Sequence, residues 1–294
     1  MRSLYNILRF ILSHPLASKN KIEALRRFFL YQLGKLFNPY PIVFPYTPRT
    51  KLIIERGMNG ATGNIYCGLH EFEDMAFLLH FLRQEDLFVD VGANIGSYTV
   101  LASGEVGAKS ITFEPVRTTY DRLMNNININ HIDDKVKAYN MGIGARKDVL
   151  RFTSNLDSVN HVAIEGEDET YFEVQVNSLD NILGDQCPSL IKIDVEGFEK
   201  EVIAGAKGLL ERNELKALII ELNGSGKRYG YNDDDIHQEL LNRKYKSYSY
   251  NPYTRILTEL QMFGNTNTIY IKDLAFVNSR IQKAAQLQML GIHF

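Results

Sequence analysis

Two rhythms of apolar positions divide this chain. Leu4, Ile7, Leu8, Ile11 and Leu12 recur three and four residues apart, and so do Ile22, Leu25, Phe29, Leu33 and Leu36. That spacing lines them up on one face of a helix, so two amphipathic helices are predicted before residue 50 or so. From Leu87 onward the pattern changes. Residues 87–91, 110–114, 136–139, 190–195 and 217–222 are short, almost unbroken apolar runs, the form taken by strands covered on both faces. Helical patterns lie between most of them, at 97–104, 118–128 and 199–211. Alternation of this kind predicts a parallel sheet with helices on both sides, a doubly wound α/β fold.

Three stretches depart from the alternation. Pro39, Pro41, Pro45 and Pro48 predict an irregular linker, because proline at that density stops helix and sheet alike. It leads into a segment, 51–86, with a helix around 71–82. Residues 149–153 and 171–176 read as a hairpin-like insertion beside the ligand edge of the sheet. After a helix at 235–242, three extended pieces, 246–250, 255–259 and 268–271, predict an antiparallel closing edge. The expected organisation is a helical extension, residues 1–50, followed by one domain, 51–294.

Composition narrows the class. With 45% hydrophobic and 23% charged residues, the chain is neither disordered nor membrane-filling. The formal net charge of -2 gives no reason to expect nucleic acid as a partner. The balance is local: up to Lys51 there are nine lysines and arginines against one acid, Glu23. The two basic helices are either a foot on an anionic membrane or partner surface, or helices packed on the domain with solvated charges. Cys67 and Cys187 form neither a disulfide framework nor a zinc pattern, so a reducing cytoplasm is expected. No apolar run approaches the ~20 residues of a membrane span. The run from Leu4 to Leu12 is broken by Asn6 and Arg9 and lacks a cleavage site after it, so no signal peptide is expected.

The segment Asp90-Val91-Gly92-Ala93-Asn94-Ile95-Gly96-Ser97-Tyr98 closes the first strand and opens a helix, where ligands of open α/β sheets bind. Gly92 and Gly96 allow a close approach of the backbone. Asn94 stands where a third glycine often does and tolerates a left-handed turn. A carboxylate at Asp90 favours a cationic ligand such as S-adenosylmethionine, with its sulfonium and ammonium, and would repel a dinucleotide pyrophosphate. The pattern G-x-G-x-x-G also fails here, since it asks for glycine at Asn94 and Ser97. Glu114, in Phe113-Glu114-Pro115 about 20 residues on, is placed to accept hydrogen bonds from ribose hydroxyls.

The strings DVGANIGSYT, FEP and IKIDVEGFEKEVIAGA, together with NIYCGLHEFEDMAFLLHFL upstream, resemble the FkbM family of methyltransferases over residues 55 to 225 or so. The resemblance implies a class I, Rossmann-like methyltransferase fold with S-adenosylmethionine as donor. It also implies transfer to oxygen, such as a macrolide or sugar hydroxyl, so the expected acceptor is a glycan or small natural product.

Methyl transfer to a hydroxyl needs alignment and an outlet for a proton. Asp194, Glu196 and Glu199 follow the fourth strand, and Glu221 and Asn223 end the fifth. Asp194 and Glu221 are the leading catalytic candidates, with His161 on the insertion as a base suited to neutral pH. Two neighbouring strand ends rich in acids resemble the magnesium sites of metal-dependent O-methyltransferases, but no metal is part of the favoured reading. The bland alternative makes Asp194 a helix cap and Glu221 the partner of Lys192. Asn140, past the third strand, is a candidate for the adenine edge. Glu73 and Tyr66 are candidates to cover the methionine end, or are simply capping and packing residues. Gly205 and Ala206 read as close helix–sheet packing. The turn 223–228 is polar and lacks the spacing of a phosphate-binding loop. Tyr245, Tyr248, Tyr250 and Tyr253 form a candidate sugar platform or an edge strand. Two rival functions remain open at this stage: a nicotinamide-dependent oxidoreductase, and a non-catalytic module on the same fold.

Overall fold

The computed structural model describes residues 2–55, 58–153, 161–163, 171–264 and 266–294. Two helices come first, α1 (Arg2–Ser13) and α2 (Lys21–Phe37). The Asn20 side chain accepts the Glu23 amide and starts α2. Next come the strands β1 (Ile42–Pro45) and β2 (Lys51–Ile54) and the helices α3 (Asn59–Cys67) and α4 (Phe72–Phe81).

The alternating region begins with β3 (Leu87–Val91) and α5 (Ser97–Val100), which runs on into a π-helical turn, Leu101–Val106. β4 (Lys109–Phe113), α6 (Arg117–Ile129) and β5 (Val136–Tyr139) follow. A small sheet is built from β6 (Gly142–Ile143), β7 (Asp148–Thr153) and β8 (Tyr171–Asn177), in the order β6-β8-β7. The chain returns to the main sheet through α7 (Leu179–Leu183), β9 (Leu190–Ile193), α8 (Glu199–Ala204), α9 (Lys207–Glu211) and β10 (Ala217–Glu221). It closes with α10 (Asp233–Asn242), β11 (Lys246–Asn251), β12 (Ile256–Glu259), β13 (Asn267–Ile271) and α11 (Leu274–Lys283).

Among the described residues, eight strands form one sheet in the order β12-β11-β13-β10-β9-β3-β4-β5. β5, β4, β3, β9 and β10 pair in parallel, while β13 pairs antiparallel with β10 and with β11, and β12 antiparallel with β11. This is the doubly wound α/β fold with an antiparallel end. The continuous apolar runs have the expected cause. Val89, Val91, Ile191, Ile193, Leu218 and Ile220 pack on one side with residues of α7 to α10, and Phe88, Leu190 and Ile219 pack on the other with residues of α4 and α5.

Local readings needed revision in four places. The proline-rich stretch holds a hairpin, β1 against β2, rather than an irregular linker. A two-stranded ribbon leaves one edge of each strand unpaired, so Pro45 costs it no ladder bond it needs. The helix expected at 199–211 is two helices, broken where a Cβ on Gly205 would lie 2.0 Å from the carbonyl oxygen of Gly144. The helix α11 was not foreseen. Finally, α2 buries Ala24 and Phe28, whereas the predicted stripe of Ile22, Phe29, Leu33 and Leu36 faces outward. No helix among the described residues is long and apolar enough to cross a membrane.

Candidate functional site

A cavity of about 310 Å³ opens at the carboxyl ends of β3, β4, β9 and β10, under a roof formed by α3 and the start of α4. The strand order reverses between β3 and β9, the chain winding outward to β4 and β5 on one side and to β9 and β10 on the other, and this switch point leaves the crevice. The loop after β3 makes one wall. Gly92 and Gly96 have φ of 79° and 88°, and Asn94 adopts 51°, so asparagine does take the left-handed turn expected of it. The amides of Gly92 and Ala93 donate to the Phe113 carbonyl at 3.1 and 2.9 Å, tying the loop to the tip of β4.

Glu114 lies at that tip with 6% of its surface exposed. One carboxylate oxygen accepts the Asn94 amide at 3.0 Å and the other the Val116 amide at 2.9 Å. Burial pushes its pKa up to about 7, against the pull of those two amides. Each oxygen keeps a lone pair for a hydroxyl from the cavity, which the carboxylate lines. Val91, Phe113, Val116, Met141, Ile143 and Phe152 give the cavity an apolar wall nearby.

The other end is acidic around one cation. Lys192, in the middle of the apolar strand Leu190–Ile193, is 3% exposed. Its Nζ donates to Asp194 Oδ2 at 2.7 Å and sits 4.8 Å from the centre of the Tyr98 ring. Burial opposes its charge, but Asp194, Glu71 and Asp90 more than offset that and raise its pKa. Carboxylate oxygens of Asp194, Glu196 and Glu221 all lie within 4.8 Å of one another. Three like charges so close cannot all persist. Burial and the neighbouring Asp194 and Glu196 charges push Glu221 well up, which favours its protonated form. Glu196 is pushed up to about 7 by burial and by Asp194, against the pull of Arg228 and His161. Its backbone is left-handed, at φ 54°. The turn is fixed by Glu199, whose Oε1 accepts the Val195 and Gly197 amides at 3.1 Å each. So Glu199, rather than Asp194, organises the start of α8. The donor set suits a divalent ion in part, but the ammonium of Lys192 already supplies the positive charge that Asp194 needs.

The expected residues fall into three places. Gly92, Asn94, Glu114, Asp194 and Glu221 line the cavity. Asp90 and His161 are buried next to it without lining it. Asp90 accepts from Thr99 Oγ1 at 2.7 Å, and burial raises its pKa to about 6 against the pull of Lys192. Its charge bears on Lys192, which does line the cavity. His161 is held to β7, its amide donating to Thr153 Oγ1 at 3.0 Å. Gly96 shapes the turn, with Ile95 and Ser97 as the lining residues beside it.

Asn140, Glu73 and Tyr66 lie away from the lining. Asn140 is exposed and donates to the carbonyls of Glu114 and Pro115 at 2.9 and 3.0 Å, and Met141 and Gly142 line the cavity instead. Glu73 points out of the first turn of α4 and is exposed, whereas Glu71 two residues earlier faces the cavity. Tyr66 is buried against Phe28 and Tyr31. The tyrosine platform is not at the surface, for Tyr245, Tyr248 and Tyr250 are all buried. Asn160 and the tip of the insertion, 154–160 and 164–170, lie outside the described residues. Sequence reasoning undervalued Lys192 and missed Glu71. The signal for Lys192 was present: a lysine inside a fully apolar strand must find carboxylates.

The family model of the methyltransferase FkbM domain matches residues 90–247. Methyltransferase sdnD of Sordaria araneosa is 27% identical over 169 residues, covering 46% of this chain and 65% of that protein. Hexuronic acid methyltransferase AglP of Haloferax volcanii is 26% identical over 161 residues, covering 52% of this chain and 62% of that protein. The match thus spans less than two thirds of the length of either relative. Among solved structures, P. horikoshii TYW2 in complex with MeSAdo aligns with 14% identity and a TM-score of 0.43, covering 86% of each chain.

Proposed function

This chain belongs to the FkbM methyltransferase family, and from that premise we propose that it transfers a methyl group from S-adenosylmethionine to a hydroxyl oxygen of a glycan or small natural product. The observation that carries the reading is the pairing of two features in one cavity. At one end Glu114 is buried, held by two amides and open to a pair of hydroxyls. At the other, Asp194, Glu196 and Glu221 crowd within 4.8 Å beside Lys192.

S-adenosylmethionine supplies a methyl carbon already activated by its sulfonium. The chain's part is to orient both partners and to receive a proton. Glu114 accepts the ribose hydroxyls and fixes the nucleoside end. Glu71, Asp194 and Asp90, balanced by Lys192, keep the opposite end negative towards a sulfonium and an ammonium. A carboxylate of the Asp194–Glu196–Glu221 group takes the acceptor's proton as the new C–O bond forms and the C–S bond breaks. The products are the methyl ether and S-adenosylhomocysteine, with the proton left on the carboxylate group. A relative whose name is hexuronic acid methyltransferase supports a sugar derivative as acceptor.

The same acidity disfavours a dinucleotide, whose pyrophosphate would face several carboxylates. Calorimetry separates the two: the protein should bind S-adenosylhomocysteine and not NAD. Transfer of labelled methyl to cell-surface glycan precursors, read by mass spectrometry, tests the acceptor class. Binding of the homocysteine product with no labelled transfer to any hydroxyl compound would leave a cofactor-binding module and overturn the reading as an enzyme.

A further inference from the structure

The outward face of α2 has no counterpart in the chain to cover it among the described residues. Ile22, Phe29, Leu30, Leu33, Leu36 and Phe37 are each at least half exposed, Ile22 by 83% and Phe37 by 85%. At about 100° per residue they fall within an arc of roughly 120°, so they make one stripe along the whole helix. Tyr40 and Val43 continue it beyond the helix, 75% and 54% exposed. The inward face is separately satisfied: Phe28 meets the Tyr66 ring edge-on at 5.1 Å, and Arg27 donates to the Tyr66 carbonyl at 2.8 Å. So α2 is already anchored, and the stripe is surplus to holding it. A contiguous apolar surface of this size marks an interaction site.

Charge identifies the occupant. Residues 1–51 carry a formal +8, and the rest of the chain -10. Lys21 is exposed at one flank, and Arg26 stands within the stripe. Glu23, the acid of this region, is taken up by Arg26 at 2.7 Å and by Arg27 at 3.8 Å. A second copy docked through the same stripe would press two cationic surfaces together, which is unfavourable. A surface that is anionic outside and apolar beneath attracts both features. We propose that α2 lies flat on an anionic lipid bilayer, with the stripe entering the boundary between headgroups and acyl chains and Lys21 and Arg26 meeting the headgroups. The proposal uses none of the cavity residues and stands apart from the reading of the chemistry.

The full chain is tested by co-sedimentation with vesicles of phosphatidylcholine, alone or with 30% phosphatidylglycerol. It should sediment with the anionic vesicles, and added salt should release it. Leu33→Ser with Leu36→Ser should weaken the partition about tenfold or more, and Lys21→Gln or Arg26→Gln about fivefold each. All four positions are exposed, so the melting temperature should not move, which separates loss of docking from loss of fold. No sedimentation with anionic vesicles overturns the proposal. So does a dimer, seen by analytical ultracentrifugation, that L33S/L36S dissolves while the vesicle partition stays unchanged.

Discussion

Replacing Gly92 by alanine sets the loop after β3 against the tip of β9. The added Cβ would lie 1.8 Å from the Asp194 carbonyl oxygen and 2.9 Å from its carbon. Both are backbone atoms, so no side chain can swing aside. Separating them by well over an ångström means prising apart the strand ends. Asp194 donates its amide to the Val91 carbonyl at 3.0 Å there, and Gly92 donates to Phe113 at 3.1 Å. The left-handed φ of 79° adds about 1–2 kcal/mol for any residue with a Cβ. Losing one of the two bonds adds about 1 kcal/mol, and residual overpacking about 1–3 kcal/mol. A cost of about 4 kcal/mol follows, or a fall in melting temperature of about 10 °C. Gly184→Ala and Gly230→Ala are the controls, since φ is 54° and 74° but no atom lies within 4 Å of the new Cβ. They should lose only the conformational part. Urea melts with calorimetry of S-adenosylhomocysteine measure both effects. If Gly92→Ala melts like the controls and binds unchanged, the contact between the loop and β9 is not what holds the cavity's shape.

Four further outcomes follow from the same geometry. Glu114→Ala should lower affinity for S-adenosylhomocysteine about tenfold or more, as hydrogen bonds to a charged group are lost; an unchanged calorimetric constant would remove Glu114 from the nucleoside end. Lys192→Met leaves Asp194 and Asp90 without their cation and should cost about 3–5 kcal/mol of stability in urea melts. The rate should rise as pH passes upward through about 7, because burial and Asp194 hold Glu196 protonated below that point and the group accepts protons better above it; in Glu196→Gln this rise should flatten. Stability should move the other way. Burial raises Glu114 and Glu199 to about 7, so between the unfolded value near 4.5 and 7 the folded chain holds protons that the unfolded chain has released. Their contribution is full below that window and is lost as pH rises through it. Urea melts at pH 5 and pH 8 read the difference, and Glu199→Gln should reduce it.

The centre of the sheet was legible because β3, β9 and β10 are buried along nearly their whole length and therefore spell almost continuous apolar runs. The loop was legible because Gly92, Asn94 and Gly96 mark left-handed turns by residue type alone. What escaped was anything set by contact between distant segments. Glu71 and Glu73 lie two residues apart in one helical entry, and nothing local says which faces the cavity; the packing of α4 decides it. Asp90 reads as the tip of the strand, but it lies one residue inside β3, buried and bonded to Thr99, and does not line the cavity. The exposed stripe on α2 misled in an instructive way. Its periodicity was read correctly as helical, but the smaller pair Ala24 and Phe28, not the larger stripe, meets the domain.

α3 is touched from both sides. Asn64 lines the cavity, accepts the His70 amide at 2.8 Å and reaches Ser97 at the loop's end at 3.4 Å. Two residues along, the Tyr66 carbonyl accepts from Nε and Nη2 of Arg27, and the Tyr66 hydroxyl accepts from Gln32 Nε2. One short helix thus serves as a crossbeam between the outermost helix and the ligand chamber. Arg27 and Gln32 of α2 are thereby two residues of α3 away from Asn64 in the cavity's roof, so a change in how α2 packs bears on the roof through Tyr66.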